Sequence, residues 1–181
     1  MRLWLVRHAQ PLVAPGICYG ATNVPADATA TLQAGQALAL TLPPGIDVMS
    51  SPLQRCEQLA ISIRELRPDL PHTTDPRLKE MNFGSWEGQR WADIAPHEFA
   101  LWTANFGDWR FGGIESVQDV MTRVAALLGE TRASGNDAVW VTHAGVIRAA
   151  TLLAQGVRQV ARADQWPSSV IEFGQATVLN L

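Results

Sequence analysis

The chain has 181 residues, of which 47% are hydrophobic and 17% are charged, and its formal net charge is −3. This composition excludes a disordered chain, and the negative charge argues against a broad basic surface for nucleic acid or an anionic membrane. Cys18 and Cys56 are too few cysteines for a secreted disulfide framework, and no apolar run approaches the ~20 residues of a membrane helix, so we expect a cytoplasmic protein.

The first part of the chain alternates apolar, strand-like runs with helical patterns. "RLWLV" and "DVMSS" predict buried strands, and Ser51 in the second run is expected to cap the helix that follows it. A helix rich in Ala and Leu is expected to stop at Pro43-Pro44-Gly45. The expected strands are 2–6, 47–51 and 72–74, and the expected helices are 31–42 and 52–66.

Regular periodicity fails between residues 77 and 113, where Trp and Phe are interleaved with Gly and Pro. This composition predicts a packed insertion or flap that contains short helices. Beyond it, "AVWVTH" predicts a strand, and Gly174-Gln175 is expected to turn a C-terminal hairpin. The expected helices are 91–94, 98–105, 115–131 and 145–156, the strand is 138–143, and the hairpin is 169–181.

Alternating strands and helices predict a three-layer α/β/α fold with a mostly parallel sheet and an antiparallel C-terminal edge strand. No linker, internal repeat or low-complexity tract divides the chain. We therefore expect a single domain over residues 1–181, with the irregular segment 77–113 as a flap of loops and short helices.

Histidines and arginines follow three of the predicted strands. Arg7 and His8 end the first strand, His143 ends the strand "VWVT", and Arg55 lies in the first turn of the helix after "DVMSS". Because ligands of open α/β sheets bind beyond the carboxyl ends of the strands, we expect these four side chains to meet on one rim.

This set of side chains is suited to a phosphoryl group. An arginine fork matches phosphate oxygens, and helix N-termini add backbone N–H donors. A neutral imidazole can attack phosphorus, while a second, protonated imidazole can hold a phosphoryl oxygen. We expect no metal and no cofactor, because the histidines lack neighbouring carboxylates or cysteines and a cationic rim repels a metal ion.

Attack at phosphorus also requires an acid for the leaving alkoxide. The stretch "RLKEMNFGSWEG" offers two candidates, Glu80 and Glu87. A carboxyl beside a phosphate dianion and shielded from water favours the protonated form that a general acid needs.

Five motifs together resemble the histidine phosphatase superfamily, in its phosphoglycerate-mutase-like branch. They are "LVRH", "SSPLQRCEQLA", "LKEMNFGSWEG", "GGIES" and "VTHAGVIR". The resemblance implies that His8 is the nucleophile, that Arg7, Arg55 and His143 bind the phosphoryl group, and that Glu80 is the proton donor. Within the superfamily, "GICYGATNVP" and the short chain look most like the α-ribazole phosphatases of the cobalamin pathway.

Several positions depart from the pattern of that family. The family usually has Gly where this chain has Ala9, and a positive φ angle there would cost Ala more than Gly. Pro11 stands where relatives often carry Ser or Thr, so a hydroxyl and a backbone N–H are missing there, and Ala14 stands where they often carry Asn. These two changes weaken the expectation of two phosphate contacts that are customary in the family. Asn23 stands where relatives tend to carry Asp.

Three functions are compatible with these residues. The first is a phosphomonoesterase acting on a small phosphorylated metabolite. The second is a phosphoglycerate mutase, whose relatives are longer and enclose the pocket more fully. The third is a noncatalytic phospholigand-binding protein, which the departures at Ala9, Pro11 and Ala14 motivate and which would not need a proton donor such as Glu80.

Other residues of the motifs have more than one interpretation. Trp86, Trp102, Trp109 or Tyr19 could stack on a heterocyclic leaving group such as a benzimidazole riboside, or could be packing residues. Three further motif residues could cap helices or brace loops: Glu87, Glu115 and Ser116.

Overall fold

A five-stranded sheet forms the centre of the protein in the computed structural model, which describes residues 1–181. The strands are β1 (Arg2–Arg7), β2 (Asp47–Ser50), β3 (His72–Thr74), β4 (Ala138–Thr142) and β5 (Ala176–Asn180). Their order across the sheet is β3-β2-β4-β1-β5, and all neighbours are parallel except β1 and β5. The prediction of a mostly parallel sheet with an antiparallel C-terminal edge strand is confirmed.

Helices cover both faces of this sheet. They are α1 (Ala28–Thr41), α2 (Gln54–Leu66), α3 (Pro96–Ala104), α4 (Val117–Ser134) and α5 (Ala144–Ala154). Because successive strand residues point to opposite faces, Leu3 and Leu5 of β1 join the cluster of α4 and α5, whereas Trp4 and Val6 join that of α1 and α2. The predicted three layers are confirmed. None of the helices has both the length and the apolar character needed to cross a bilayer.

Side chains at the helix ends explain where α1 and α4 begin. The Asp27 carboxylate accepts a hydrogen bond from the backbone N–H of Ala30 at 2.8 Å, so α1 begins before the predicted residue 31. Ser116 and Asp119 form a capping box at the start of α4, which confirms the capping interpretation of Ser116.

The expected N-cap role of Ser51 is wrong. Helix α2 begins only at Gln54, whose backbone N–H donates to Oδ1 of Asn23 at 2.7 Å. The acceptor for this helix end therefore comes from a segment about thirty residues away along the chain. The Ser51 hydroxyl instead accepts from the backbone N–H of Leu53 at 3.3 Å and lies 2.9 Å from Nε2 of His143, at the end of β4.

The irregular segment 77–113 packs its aromatic side chains against the face of the sheet that α4 and α5 cover. It contains a 3-10 helix at Trp91–Asp93 and the helix α3, close to the expected helices 91–94 and 98–105. A further 3-10 helix at Gly84–Trp86 was not expected from the sequence. Phe111 is fully buried, and its ring stacks on Trp102 with centroids 4.4 Å apart. Aromatic burial, rather than regular backbone pairing, stabilises this part of the chain.

The predicted C-terminal hairpin is wrong in its first strand. Only β5 is a strand, and it pairs with β1. Residues 169–175 do not pair with β5, because Gly174 donates its N–H to the carbonyls of Arg7 and His8 at 3.0 and 3.1 Å. This segment therefore crosses the carboxyl end of β1 instead of extending the sheet.

Candidate active site

Two histidines lie side by side at the carboxyl edge of the sheet. His8 follows β1 and His143 follows β4, and since these strands are parallel neighbours, their ends are adjacent. The backbone N–H of His8 donates to the carbonyl of Thr142 at 3.0 Å, and the two ring centroids are 5.1 Å apart. Both side chains are buried, with exposed fractions of 2% and 0%.

A backbone carbonyl fixes the tautomer of His8. Nδ1 lies 2.7 Å from the carbonyl oxygen of Ala9, and because that oxygen can only accept, Nδ1 carries the proton and Nε2 keeps a lone pair. Burial lowers the pKa of His8 to about 3, and the charges of Arg55 and Arg7 act in the same direction. No residue other than glycine has a positive φ, so the backbone at Ala9 is unstrained.

Two side chains contact the ring of His143: Ser51, which precedes α2, and Cys56, which lies in its first turn. Its Nε2 lies 2.9 Å from the Ser51 hydroxyl and 3.4 Å from the Cys56 thiol. Burial first, and then the charge of Arg55, lower the pKa of His143 well below its usual value. The ring is therefore neutral in the structure, in contrast to the protonated imidazole expected from the sequence, and the charge of a phosphoryl group would favour its protonation.

Arg55 is fully buried and donates to two carbonyls of one loop. Nη2 donates to Gly20 at 2.6 Å and Nη1 to Thr22 at 2.8 Å. Its Nε is buried and has no hydrogen-bond partner. The loop around Ala21 thus fixes the orientation of the guanidinium.

Glu87 braces this same loop. Its carboxylate accepts hydrogen bonds from the backbone N–H groups of Ala21 at 2.8 Å, Thr22 at 3.0 Å and Phe83 at 2.9 Å, and from the Thr22 hydroxyl. Of the interpretations left open for Glu87, loop bracing is the one that the structure supports. The same applies to Glu115, whose carboxylate accepts from the backbone N–H of Asn82 at 2.9 Å.

Arg7 is positioned by the C-terminal segment that crosses the end of β1. Its Nη1 donates to the carbonyl of Ile171 at 2.5 Å, and its guanidinium carbon lies 3.7 Å from the ring centroid of Phe173. Cation–π contact and hydrogen bond together hold the guanidinium flat against this segment. The Nε of Arg7 is buried and has no partner.

Glu80 faces the histidines from the other side, anchored by two backbone N–H groups. Oε2 accepts from Gly145 at 3.0 Å and Oε1 from Met81 at 3.1 Å. A Cβ at position 145 would clash with Oε1, so a larger residue there would displace the Glu80 carboxylate from this position.

The predicted side chains converge on one small cavity of about 90 Å³. Arg7, His8, Arg55 and Glu80 all line it, whereas His143 lies beside the His8 ring without lining it. The other lining residues are Ile17, Tyr19, Gly20, Phe83 and Trp91. No group of three or more potential metal ligands occurs in the structure.

The positions that depart from the family pattern do not line this cavity. Ala14 is exposed, and Pro11 forms a β-bridge with Ala26. Ala9 retains the carbonyl that orients His8, and Asn23 caps α2. Despite these substitutions, the cavity is lined by four of the side chains expected to carry the chemistry: Arg7, His8, Arg55 and Glu80.

Sequence reasoning missed three contributions to the site. Ser51 was assigned to a helix cap, and Ile171 and Phe173 were assigned to a strand. The segments "SSPLQR" and "IEF" carry no local signal for these contacts, because the partners of Ser51 and Ile171 lie 92 and 164 residues away along the chain. The motif "GSWEG" singled out Glu87 but did not indicate the loop that it braces.

Known proteins are similar to this chain in sequence and architecture. A model of the histidine phosphatase superfamily (branch 1) matches residues 3–173. The adenosylcobalamin/alpha-ribazole phosphatase of Escherichia coli (strain K12) is 29% identical in an alignment that covers 97% of this chain and 91% of that protein. Among solved structures, a mycobacterial glucosyl-3-phosphoglycerate phosphatase in complex with VO3 gives a TM-score of 0.82 at 26% identity, covering 99% of this chain and 90% of that one. A protein of Thermus thermophilus gives a TM-score of 0.72 at 30% identity, with 99% and 94% covered.

The family match covers nearly the whole chain, and the relatives that carry a functional name are phosphatases with different named substrates. The family is therefore common to them, while the substrate is not. This chain belongs to branch 1 of the histidine phosphatase superfamily and is a phosphatase.

Proposed function

We propose that this phosphatase hydrolyses a small phosphorylated metabolite through a phosphohistidine formed on His8. The observation that carries the proposal is the state of the His8 ring. Ala9 fixes the proton on Nδ1, and burial keeps the ring neutral, so Nε2 offers a lone pair inside a cavity lined by Arg7 and Arg55. A neutral nucleophile beside two fixed cations suits an attack on a phosphate dianion.

In the first step, Nε2 of His8 attacks phosphorus and a P–N bond forms. The P–O bond to the alcohol breaks, and a proton from the carboxyl group of Glu80 passes to the leaving oxygen. Glu80 suits this task because it lines the same cavity from a backbone-anchored position.

In the second step, the Glu80 carboxylate takes a proton from a water molecule as the water oxygen attacks phosphorus. The P–N bond breaks, inorganic phosphate leaves, and His8 returns to its neutral form. Dividing one displacement into two steps is covalent catalysis, and the donor of the first step becomes the base of the second.

The cationic groups stabilise the charge that builds up on the phosphoryl oxygens. Arg7 and Arg55 are held in place by carbonyls and an aromatic ring, so they need little reorganisation when phosphate binds. One such preorganised donor typically contributes about 3–4 kcal/mol to transition-state stabilisation. We assign His143 to the same phosphoryl group, protonated when the dianion is bound.

For the substrate we propose α-ribazole 5′-phosphate. The support is the similarity to the enzyme of Escherichia coli, which extends over 97% of this chain, together with "GICYGATNVP". An active phosphatase is favoured over a noncatalytic binder because Ala9 keeps the carbonyl that orients His8 and Glu80 remains in the cavity.

The test is phosphate transfer from radiolabelled substrate to the protein. We expect label that is stable to base and labile to acid, present in the wild type and absent from His8→Ala. The panel comprises α-ribazole 5′-phosphate, phosphoserine, glucosyl-3-phosphoglycerate and 3-phosphoglycerate.

His72→Ala is the control, since the His72 ring is also held by a hydrogen bond, to the Ser50 hydroxyl at 2.9 Å, but does not line the cavity. We expect it to keep both label and turnover. Unchanged turnover in His8→Ala would show that the nucleophile is another group. Isomerisation of 3-phosphoglycerate without release of phosphate would identify a mutase instead.

A further inference from the structure

A second cavity of about 300 Å³ adjoins the phosphate cavity. The two cavities share Glu80, Phe83 and Trp91 as lining residues. In the proposed mechanism Glu80 must reach the oxygen of the leaving alcohol, so the alcohol departs on the side of the phosphoryl group where Glu80 lies. The second cavity is therefore placed where the rest of the alcohol would extend.

The lining of this cavity is apolar and aromatic. Eight of its eleven lining residues are hydrophobic, which is the wall expected for a flat, uncharged group and not for a short polar chain. The larger side chains of the wall are Met81, Phe83, Trp91, Trp102, Phe106 and Trp166. Of the tryptophans considered from the sequence, Trp102 lines the cavity, whereas Trp86 and Trp109 do not.

Charged groups are scarce in this wall. Apart from Glu80, the lining contains one charged side chain, Arg148, whose Nη2 donates to the carbonyl of Ser169 at 3.2 Å and whose Nε is buried without a hydrogen-bond partner. Arg148 is thus the only cation of the wall. Elsewhere in this cavity a carboxylate on the alcohol would lie among aromatic rings and near the carboxylate of Glu80, which is unfavourable.

A polar cavity on the other side of Glu80 is the competing location. It contains Lys79 and two arginines, but both arginines are paired, Arg123 with Glu115 at 2.7 Å and Arg110 with Asp119 at 3.3 Å. It shares only one lining residue, Glu80, with the phosphate cavity. The aromatic cavity has the closer connection to the reacting atoms.

We propose that the aromatic cavity binds the alcohol part of the substrate, and that the enzyme selects phosphomonoesters whose alcohol carries a flat, uncharged ring system. This rests on the proposed function, because it places the leaving group by way of Glu80. It makes Trp102, Phe106 and Trp166 specificity-determining residues, and it disfavours short alcohols that carry a carboxylate.

The test compares three esters of primary alcohols: 2-(1-naphthyl)ethyl phosphate, 1-butyl phosphate and phosphoserine. The leaving alcohols of the first two esters have similar acidity, so a difference in kcat/KM between these esters reports binding of the ring and not leaving-group chemistry. We expect kcat/KM for the naphthylethyl ester to exceed that for the butyl ester by about tenfold or more. Phosphoserine is expected to be the poorest of the three.

Two variants locate the selection in this cavity. Val120→Phe narrows it, and Trp102→Leu removes part of its wall, so each should lower the ratio of kcat/KM between the naphthylethyl and butyl esters. Trp109→Leu alters a tryptophan of the same segment that does not line the cavity, and it should leave the ratio unchanged. Circular dichroism and thermal unfolding verify that each variant is folded.

The outcomes separate the two proposals. Equal kcat/KM for the naphthylethyl and butyl esters, with phosphohistidine formed from both, would contradict the proposal that the aromatic cavity binds the alcohol. The proposed function would be unaffected by this result. Preference for phosphoserine would also contradict binding of the alcohol in the aromatic cavity, in favour of the polar cavity beside Lys79. Absence of phosphohistidine with every ester would overturn both.

Discussion

At the scale of single residues, the Ser51 hydroxyl is the group that fixes His143. Both side chains are fully buried, and no solvent can replace their 2.9 Å contact. The Cys56 thiol also lies near the ring, but burial raises its pKa, so it stays protonated and lies 3.5 Å from the carbonyl of Thr142. Ser51 is thus the stronger hydrogen-bonding partner of His143.

We expect Ser51→Ala to lower kcat/KM by about tenfold, since one buried hydrogen bond contributes about 1–1.5 kcal/mol. Ser50→Ala is a closely matched control, because Ser50 is equally buried and lies 2.9 Å from Nε2 of His72, away from the cavity. Steady-state kinetics and the rate of phosphohistidine formation measure the effect. An equal fall in kcat/KM in the two variants would mean that Ser51 affects activity only through the stability of the fold.

The depressed pKa of His8 links its burial to acid stability. As the pH falls through about 6.5, the unfolded chain takes up a proton on this ring, whereas the folded chain does so only near pH 3. The stability that the neutral ring provides is therefore fully present above pH 6.5 and decreases as the pH falls towards 3.

Between pH 7 and 5 we expect this ring to reduce the free energy of unfolding by about 2 kcal/mol. Over the same pH interval, the free energy of unfolding of His8→Gln should fall by about 2 kcal/mol less than that of the wild type. Urea unfolding at each pH measures the difference. The control is His97→Gln, at an exposed histidine, and its free energy of unfolding should fall by as much as that of the wild type over this interval. A pH dependence in His8→Gln as steep as in the wild type would contradict this origin of the effect.

At the scale of elements, the loop 20–22 connects Glu87 to the phosphate cavity. Glu87 holds the backbone N–H groups of the loop, and the loop carbonyls hold Arg55. An amide in place of the carboxylate would turn an NH2 group towards N–H donors. The loop would shift, and the guanidinium of Arg55 would lose its fixed acceptors.

We expect Glu87→Gln to raise the inhibition constant of inorganic phosphate by about tenfold, with a smaller change in kcat, because ground-state phosphate binding depends on Arg55. Glu130→Gln, at an exposed carboxylate that pairs with Arg77, should leave both values unchanged. A fall in kcat with unaltered phosphate affinity would show that Glu87 acts on the chemical step instead.

The same elements show how far sequence alone reaches. Alternation of strands and helices predicts that His8 and His143 meet, because the rule depends only on the direction of parallel strands. The positions of Ser51 and Phe173 could not be predicted in this way. Their roles depend on contacts between distant segments, and a local pattern favours a helix cap for one and a strand for the other.

At the scale of the whole molecule, the phosphate cavity joins segments from the beginning, middle and end of the chain. Arg7 depends on Ile171 and Phe173, Arg55 on the loop 20–22, and Glu80 on Gly145. A ligand that binds only when all these segments are in place stabilises the entire fold, since the unfolded chain has no such site.

Inorganic phosphate at a hundred times its dissociation constant should therefore raise the free energy of unfolding by about 2.7 kcal/mol and Tm by roughly 5–10 °C. Arg55→Gln should lose most of this increment. Arg67→Gln provides the contrast, because Arg67 also donates to backbone carbonyls, those of Ala39, Leu42 and Pro43, but does not line the cavity. Arg67→Gln should have a lower Tm than the wild type without phosphate, but phosphate should raise its Tm by the full amount. If both variants kept the increment, phosphate would be binding elsewhere, and the convergence of Arg7 and Arg55 would not form the anion site.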